Sequence, residues 1–119
     1  PGRYICGNAV NVITSIIGKQ MRDEKQWYYI DDGIYGSFSG ILFDHWDYDI
    51  ISLKDEDNTY EKATIAGPSC DSLDIVKKEM YCPKLDEGDL LIALNAGAYS
   101  KVSATTFNGF SLPKTVALE

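Results

Sequence analysis

The chain has 119 residues, which suits one domain with one hydrophobic core, and its 45% hydrophobic residues exclude a disordered acidic segment. Its formal net charge of -7 disfavours nucleic acid and anionic membranes as partners, and it is compatible with a small cationic ligand. No apolar run approaches the roughly 20 residues of a membrane span, so we expect no membrane partner.

Runs of β-branched and aromatic residues, bounded by glycine, proline or aspartate turns, predict about seven strands. These strands are expected over residues 4–17, 26–31, 34–43, 60–66, 90–94, 99–106 and 115–118. The polar residues 18–25 predict a hairpin connection. A cluster of carboxylates and aromatics over 44–49 and the charged residues 54–58 are expected in surface loops.

One short helix is predicted over residues 71–80, because Leu73 begins a run with helical spacing that reaches Met80, and Pro83 stops it. About seven strands and one short helix predict an all-β fold, a Greek-key-like β-barrel. No repeat, linker or low-complexity segment divides the chain, so residues 1–119 are expected to form a single domain.

Cysteine and histidine usage limits the possible sites. Cys6, Cys70 and Cys82 are an odd number without metal-ligand spacing, which favours a reduced, cytoplasmic compartment. His45 is the single histidine and excludes a His-rich zinc site, so no metal site is predicted.

The stretch Gly-Pro-Ser-Cys-Asp-Ser-Leu-Asp at residues 67–74 carries chemically useful groups. A Gly-Pro turn presents the thiol of Cys70 beside the carboxylate of Asp71 at the start of the predicted helix. For this stretch alone, the simpler interpretation is a helix N-cap with a buried structural cysteine. A Cys-His hydrolase is disfavoured, because His45 is the only candidate base and such a site needs a third, orienting group.

Charged residues elsewhere could build a binding site. Asp44 and Asp71 would suit an ammonium ligand if they converged, because each carboxylate oxygen accepts a charge-assisted hydrogen bond. Arg3 and Tyr99 both closely follow a glycine and could reach an anion. The alternatives are an ordinary surface arginine and a core tyrosine with its hydroxyl satisfied.

Six stretches of the sequence resemble one family in the order in which the family has them. They are PGRY at 1–4, YYIDDGIYGSF at 28–38, ILFDH at 41–45, GPSCDSLD at 67–74, NAGAY at 95–99 and FNGF at 107–110. The chain resembles the C-terminal β-domain of the ornithine decarboxylase family, the fold-type III pyridoxal-phosphate enzymes related to alanine racemase. The stretches are spread over nearly the whole chain, which makes the combined signal specific.

The resemblance implies roles for the residues near the cofactor. The arginine and tyrosine that match Arg3 and Tyr99 contact the cofactor phosphate in the family. The cysteine that matches Cys70 serves the cofactor of the other subunit and helps to protonate the correct carbon after carbon dioxide leaves. These residue types suit the chemistry, because the protein's task is mainly to orient, neutralise and return a proton.

The resemblance also implies a substrate site that two subunits share. The aspartates that match Asp44 and Asp71 bind the distal ammonium of the substrate, and the residues that match Tyr35 and Phe107 line the same interfacial site. The expected substrate is a basic amino acid, with ornithine favoured and diaminopimelate disfavoured by the carboxylate pair. A departure is Phe43, which stands where the family usually has tyrosine.

The resemblance implies that this chain is part of a longer parent. In the family, a cofactor barrel with a Schiff-base lysine precedes this domain, and a glutamate before Pro-Gly-Arg pairs with the cofactor ring. The parent is then expected to be a homodimeric decarboxylase of polyamine biosynthesis, and the 119-residue chain alone is expected to be inactive and not to bind pyridoxal phosphate tightly. The alternative is a regulatory homologue that has lost catalysis, as the antizyme inhibitors have.

Overall fold

The computed structural model describes residues 1–54 and 60–118. Two short α-helices and six β-strands make up its main regular elements. In chain order they are α1 (Gly2–Cys6), β1 (Val12–Arg22), β2 (Lys25–Ile30), α2 (Gly40–Asp44), β3 (Asp49–Ser52), β4 (Glu61–Ala66), β5 (Ile75–Cys82) and β6 (Leu90–Leu94). Most of the loop predicted over 54–58 lies outside the described residues.

The strands form one six-stranded sheet in the order β3-β6-β1-β2-β4-β5, which curls into a nearly closed barrel. Neighbouring strands are antiparallel except β2 and β4, which are parallel. Lys77 on the edge strand β5 reaches the segment just before β3, the other edge strand. Its Nζ donates to the Tyr48 carbonyl oxygen there at 2.8 Å. The prediction of an all-β, Greek-key-like barrel is confirmed, with six strands where about seven were predicted.

The core lies inside the curled sheet. Ile16 on β1, Ile30 on β2, Ile65 on β4 and Leu91 on β6 are each at most 1% exposed. Burying such side chains contributes roughly 1.5–3 kcal/mol each, so these central strands supply much of the stability of the fold. Within the described residues, no helix has the length and apolar character needed to cross a membrane.

The position predicted for the short helix is wrong. Residues 75–82 form strand β5, which pairs antiparallel with β4. Leu73, the first residue of the run with helical spacing, is 61% exposed, whereas Val76, Met80 and Cys82 face the core. Ladder hydrogen bonds to β4 and burial of these three side chains therefore outweigh the helical spacing. Helical turns occur instead at α1 and α2.

The strand predicted over 34–43 is also wrong, because a local carboxylate fixes a turn there. Oδ1 of Asp32 accepts hydrogen bonds from the backbone N–H of Gly33 at 2.8 Å and of Ser37 at 2.9 Å. The Phe38 N–H then donates to the Gly33 carbonyl oxygen at 3.0 Å. These hydrogen bonds satisfy backbone N–H groups that would otherwise need acceptors in a strand ladder, and the chain continues into α2.

The strand predicted over 4–17 begins only at Val12, because α1 and a 3₁₀ turn precede it. The hairpin predicted over 18–25 is present but tighter: β1 runs to Arg22, and Asp23 and Glu24 form a two-residue turn with positive φ at both positions. The strands predicted over 99–106 and 115–118 are not strands.

Candidate functional site

The first group of predicted site residues surrounds Arg3. Its Nη2 donates to Oδ2 of Asp44 at 3.1 Å, and its guanidinium carbon lies 4.0 Å from the Trp46 ring centroid and 5.4 Å from that of Tyr99. We call Arg3, Asp44, Trp46 and Tyr99 the arginine cluster. The cluster combines a cation, its counter-ion and two aromatic faces that favour the cation electrostatically.

Two short helices and one loop bring these side chains together. Asp44 is the last residue of α2, and the chain then turns through His45, which has a φ of 52°. The Trp46 N–H donates to the Gly40 carbonyl oxygen at 3.0 Å, which holds the indole beside Arg3. Tyr99 has a positive φ of 56°, and its carbonyl oxygen accepts from the Ser39 hydroxyl at 3.1 Å.

A glycine lets the loop that carries Tyr99 pass against α1. The Gly97 N–H donates to the Gly7 carbonyl oxygen at 2.9 Å. A Cβ at Gly97 would meet the carbonyl oxygen of Cys6 at 1.8 Å, which only glycine avoids. Main chain therefore touches main chain between the helix of Arg3 and the loop of Tyr99.

The arginine cluster fits an anionic group such as a phosphate. Only one guanidinium nitrogen of Arg3 pairs with Asp44, and a guanidinium carries five N–H donors in a planar fork that suits phosphate oxygens. The Arg3 side chain is 25% exposed and Tyr99 is 52% exposed, so both remain accessible. These residues could hold the phosphate of a cofactor.

The second group of predicted site residues surrounds Tyr35. Its hydroxyl donates to Oδ2 of Asp71 at 2.5 Å, and its ring packs against Phe107 with centroids 4.2 Å apart. The side-chain amide of Asn108 donates to the sulfur of Cys70 at 3.5 Å. We call Tyr35, Cys70, Asp71, Phe107 and Asn108 the tyrosine cluster. It presents an exposed thiol, a carboxylate and two aromatic rings.

The hydrogen bond between Tyr35 and Asp71 affects the ionisation of both groups. Donation by the phenol, with a second hydrogen bond from the Leu73 N–H, lowers the pKa of the Asp71 carboxyl. The same bond and the nearby negative charge raise the pKa of the Tyr35 phenol. At neutral pH the pair is therefore a neutral phenol and a carboxylate, and the remaining carboxylate lone pairs can accept from a cationic ligand.

Asp74 fixes the two loops that carry the tyrosine cluster. It is 3% exposed, and its carboxylate accepts from the Ile34 N–H at 3.0 Å, from the Ser69 N–H at 3.0 Å and from the Ser69 hydroxyl at 2.5 Å. A Cβ at Gly33 or Gly67 would meet its Oδ1 at 2.3 Å or 2.1 Å. The loop of Tyr35 is thereby tied to the loop of Cys70 and Asp71.

The structure sorts the predicted site residues into these two clusters. Arg3, Asp44 and Tyr99 lie in one, and Tyr35, Cys70, Asp71 and Phe107 lie in the other. Across the described residues, no hydrogen bond, ion pair or ring contact joins the two clusters. Asp44 and Asp71 are therefore not paired within one chain.

Sequence reasoning missed three residues of this site. Trp46 lies within residues 44–49, for which only a surface loop is predicted, although its ring lies against the Arg3 guanidinium. Asp74 falls within the predicted helix over 71–80, and Asn108 lies in the FNGF stretch without a predicted role. The available signal was position, because Asp74 and Asn108 lie inside recognised stretches and Trp46 directly follows one, but the contacts join positions far apart in the chain.

Comparison with known proteins identifies the domain. Residues 3–97 match the family described as "Pyridoxal-dependent decarboxylase, C-terminal sheet domain". The chain belongs to this family. Lysine/ornithine decarboxylase of Selenomonas ruminantium is 45% identical over 119 residues, which is 100% of this chain and 30% of the relative. This domain therefore spans less than a third of the length of that relative.

Solved structures show the same fold in members of this family. A lysine/ornithine decarboxylase from Vibrio vulnificus, complexed with cadaverine, has a TM-score of 0.93 and 42% identity over 98% of this chain and 32% of its own. The arginine decarboxylase of Paramecium bursaria Chlorella virus, bound to agmatine, has a TM-score of 0.86 and 32% identity over 92% of this chain and 31% of its own. The family fold thus occurs in enzymes named for three basic amino acids.

Proposed function

We propose that this chain is the C-terminal domain of a pyridoxal-phosphate-dependent decarboxylase that acts on a basic amino acid, with ornithine as the favoured substrate. The observation that carries the proposal is the pair of clusters on one domain, since one offers a cation for a phosphate and the other a carboxylate for an ammonium group. The 45% identity to a lysine/ornithine decarboxylase supports it.

In this proposal Arg3 and the Tyr99 hydroxyl hold the phosphate of the cofactor. Trp46 and Asp44 keep the guanidinium in place while its free N–H donors face the anion. Pyridoxal phosphate, when bound, supplies the ring that accepts the electrons left by the departing carboxylate. The residues of this chain supply orientation and charge, so their arrangement governs affinity and selectivity.

Substrate recognition is assigned to Asp44 and Asp71. A carboxylate accepts a charge-assisted hydrogen bond from a terminal ammonium, and the rings of Tyr35 and Phe107 can line the path of an aliphatic chain. Carboxylates also bind guanidinium, so lysine and arginine are the competing substrates to test. Decarboxylation of ornithine would give putrescine, so the proposed role of the enzyme is in polyamine biosynthesis.

Cys70 is proposed to return the proton. Its thiol is exposed on a tied loop, and a thiol can give a proton to a carbon that has lost carbon dioxide. The separation of the two clusters supports a homodimer in which the tyrosine cluster of one subunit completes the site that holds the arginine cluster of the other. We propose the cytoplasm as the compartment, in keeping with three free cysteines.

A regulatory homologue without catalysis is the second candidate. The enzyme is favoured by the joint presence of four residues, Cys70, Asp71, Asp44 and Tyr99. A regulatory binding protein does not require a proton donor or a carboxylate that binds substrate. The two candidates predict opposite results in a direct assay.

The assay measures carbon dioxide release by the whole cofactor-loaded protein from ornithine, lysine and arginine. We expect the highest kcat/KM with ornithine. Asp71→Asn should raise KM about 10- to 150-fold, the range expected when one charge-assisted hydrogen bond of roughly 1.5–3 kcal/mol is lost. Asp47→Asn, at an exposed aspartate outside both clusters, is the control. No release from any of the three substrates would favour the regulatory candidate.

A further inference from the structure

One contact in the tyrosine cluster has no part in the function proposed above. The amide nitrogen of Asn108 donates to the sulfur of Cys70 at 3.5 Å, across 38 residues of sequence. Asn108 has φ 58° and ψ 21°, a left-handed conformation that asparagine and glycine adopt most readily. The backbone therefore favours a residue type that can also donate a hydrogen bond from a short side chain.

The segment that carries Asn108 is anchored to Tyr35. Thr105 donates to the Tyr35 carbonyl oxygen from its N–H at 2.7 Å and from its hydroxyl at 2.9 Å. The Phe107 N–H donates to the Thr105 hydroxyl oxygen at 3.2 Å, and the Phe107 ring packs on that of Tyr35. The position of the Asn108 amide is thus set by the same residue that binds Asp71.

The loop of Cys70 is held from the other side. The preceding residue, Ser69, donates to Asp74 through both its N–H and its hydroxyl, and the following residue, Asp71, accepts from Tyr35. Both flanks of Cys70 are therefore fixed to the fold. In the described part of the chain, the one hydrogen bond that reaches the Cys70 sulfur comes from Asn108, so this contact restricts the rotation of the thiol about its side-chain bond.

We propose that Asn108 is a positioning residue for Cys70. The amide N–H of Asn108 holds the Cys70 sulfur in one rotamer and stabilises the thiolate. This inference rests on the proposed function of Cys70. When the thiol acts, its S–H bond breaks, a C–H bond forms at the substrate carbon that lost carbon dioxide, and the electron pair stays on sulfur. The thiolate then takes a proton from water. A donor on the sulfur favours this step and restricts which carbon the proton can reach.

The first test measures the rate at which iodoacetamide alkylates Cys70 at neutral pH in the whole protein without cofactor. Mass spectrometry of the peptide that contains Cys70 reports the extent of alkylation. Asn108→Gly suits the left-handed backbone and removes only the amide. We expect alkylation of Cys70 to slow about two- to tenfold, because one hydrogen bond to the reactive thiolate is lost. Cys70 is exposed in this domain, so the Asn108 amide does not shield the thiol from the reagent.

Two internal comparisons make the alkylation result specific. Asn95→Gly is the matched control, because Asn95 has a similar φ of 57° and no hydrogen bond to a cysteine in the described part of the chain. It should leave the rate at Cys70 unchanged. Burial raises the pKa of the Cys82 thiol to about 11, so its peptide should stay unmodified and report that the fold is intact. A rate for Asn108→Gly equal to or faster than that of the unmodified sequence overturns the proposal.

The second test uses the cofactor-loaded enzyme and measures the fraction of turnovers that yield an aldehyde instead of a diamine, the product of protonation at the wrong carbon. Asn108→Gly should raise this fraction in the same direction as Cys70→Ala, and Asn95→Gly should not. An unchanged fraction would contradict a positioning role. If the unmodified protein releases no carbon dioxide at all, the proposed function fails, and the alkylation test still decides whether Asn108 controls the thiol.

Discussion

The carboxylate of Asp44 lies 3.1 Å from the guanidinium of Arg3, so the residue proposed for the substrate ammonium neutralises the residue proposed for the cofactor phosphate. Both side chains remain partly exposed, at 38% and 25%. A bound phosphate and a bound ammonium would each attract one member of this pair. We therefore expect the two ligands to influence each other's affinity through Arg3 and Asp44.

Replacing Trp46 with leucine should weaken cofactor binding while preserving most of the apolar packing. The indole face lies 4.0 Å from the Arg3 guanidinium carbon, and a partly exposed cation–π contact contributes about 0.5–1 kcal/mol. We expect the dissociation constant of pyridoxal phosphate to rise about two- to fivefold in an absorbance titration of the whole protein. Trp27→Leu is the matched control, because Trp27 stacks on Arg22 at 4.3 Å outside the cluster. Equal effects of both changes would argue against a specific role for Trp46.

Replacing Tyr35 with phenylalanine should raise the pKa of the Asp71 carboxyl, because the phenol hydrogen bond that lowers it is removed. The measurement is an NMR titration of the Asp71 carboxyl carbon. Tyr29→Phe is the control, since the Tyr29 hydroxyl donates instead to Gln20 at 3.1 Å. A pKa for Asp71 that does not move would show that the hydrogen bond is not formed in solution.

The hydrogen bond between Tyr35 and Asp71 contributes to stability only within a range of pH. The folded pKa of Asp71 is lowered, so this contribution is fully present above the ordinary carboxyl value of about 3.9 and is lost as the pH falls through the folded pKa. The folded pKa of Tyr35 is raised, so the contribution also persists up to the ordinary phenol value of about 10 and is lost above the folded pKa. The stability difference between the unmodified chain and Tyr35→Phe should therefore shrink at both extremes of pH.

Mixing a slowed parent and an inactive parent in equal amounts tests whether subunits share sites. One parent carries Cys70→Ala and the other lacks the Schiff-base lysine of the cofactor barrel. If the tyrosine cluster serves the partner's site, half of the randomly formed dimers are mixed and each has one intact site, so activity should reach roughly a quarter of the unmodified value. No recovery above the residual activity of Cys70→Ala, with subunit exchange demonstrated, would mean that each chain builds its own site.

Replacing Asp74 with asparagine should destabilise the domain by about 2–4 kcal/mol, because an amide group cannot accept from both Ile34 and Ser69, and at least one buried N–H loses its acceptor. The free energy of unfolding in urea is the measurement. Asp47→Asn should cost less than about 0.5 kcal/mol, since the Asp47 side chain is 84% exposed. Similar losses for both variants would show that Asp74 does not hold the loops together.

Strands whose own residues favour β structure were predictable from the sequence. Strands that depend on pairing with a distant segment were not. The strand predicted over 90–94 matches β6, and that over 60–66 nearly matches β4, because local β-propensity and pairing agree there. At β5 the local spacing suggested a helix, and only pairing with β4 makes it a strand. The turn after Asp32 depends on one side chain capping two backbone groups, which a strand pattern does not reveal.

The candidate site was also only partly predictable: most of its residues were identified from the sequence, but the contacts between them were not. The resemblance picked out Arg3, Asp44 and Asp71 because they lie within recognisable stretches. It did not show that Arg3 and Asp44 would pair with each other, or that Asp71 would accept from Tyr35. Such contacts depend on how loops far apart in the chain meet.

The main-chain contact at Gly97 has a consequence for how homologous sequences can be judged. Any side chain at this position would have to displace the carbonyl of Cys6, and with it the helix that carries Arg3. Such a chain could keep Arg3 and Tyr99 in its sequence and still present them at a changed separation. The residue at position 97 therefore indicates whether a homologue that retains both Arg3 and Tyr99 can still place the two side chains against one anion.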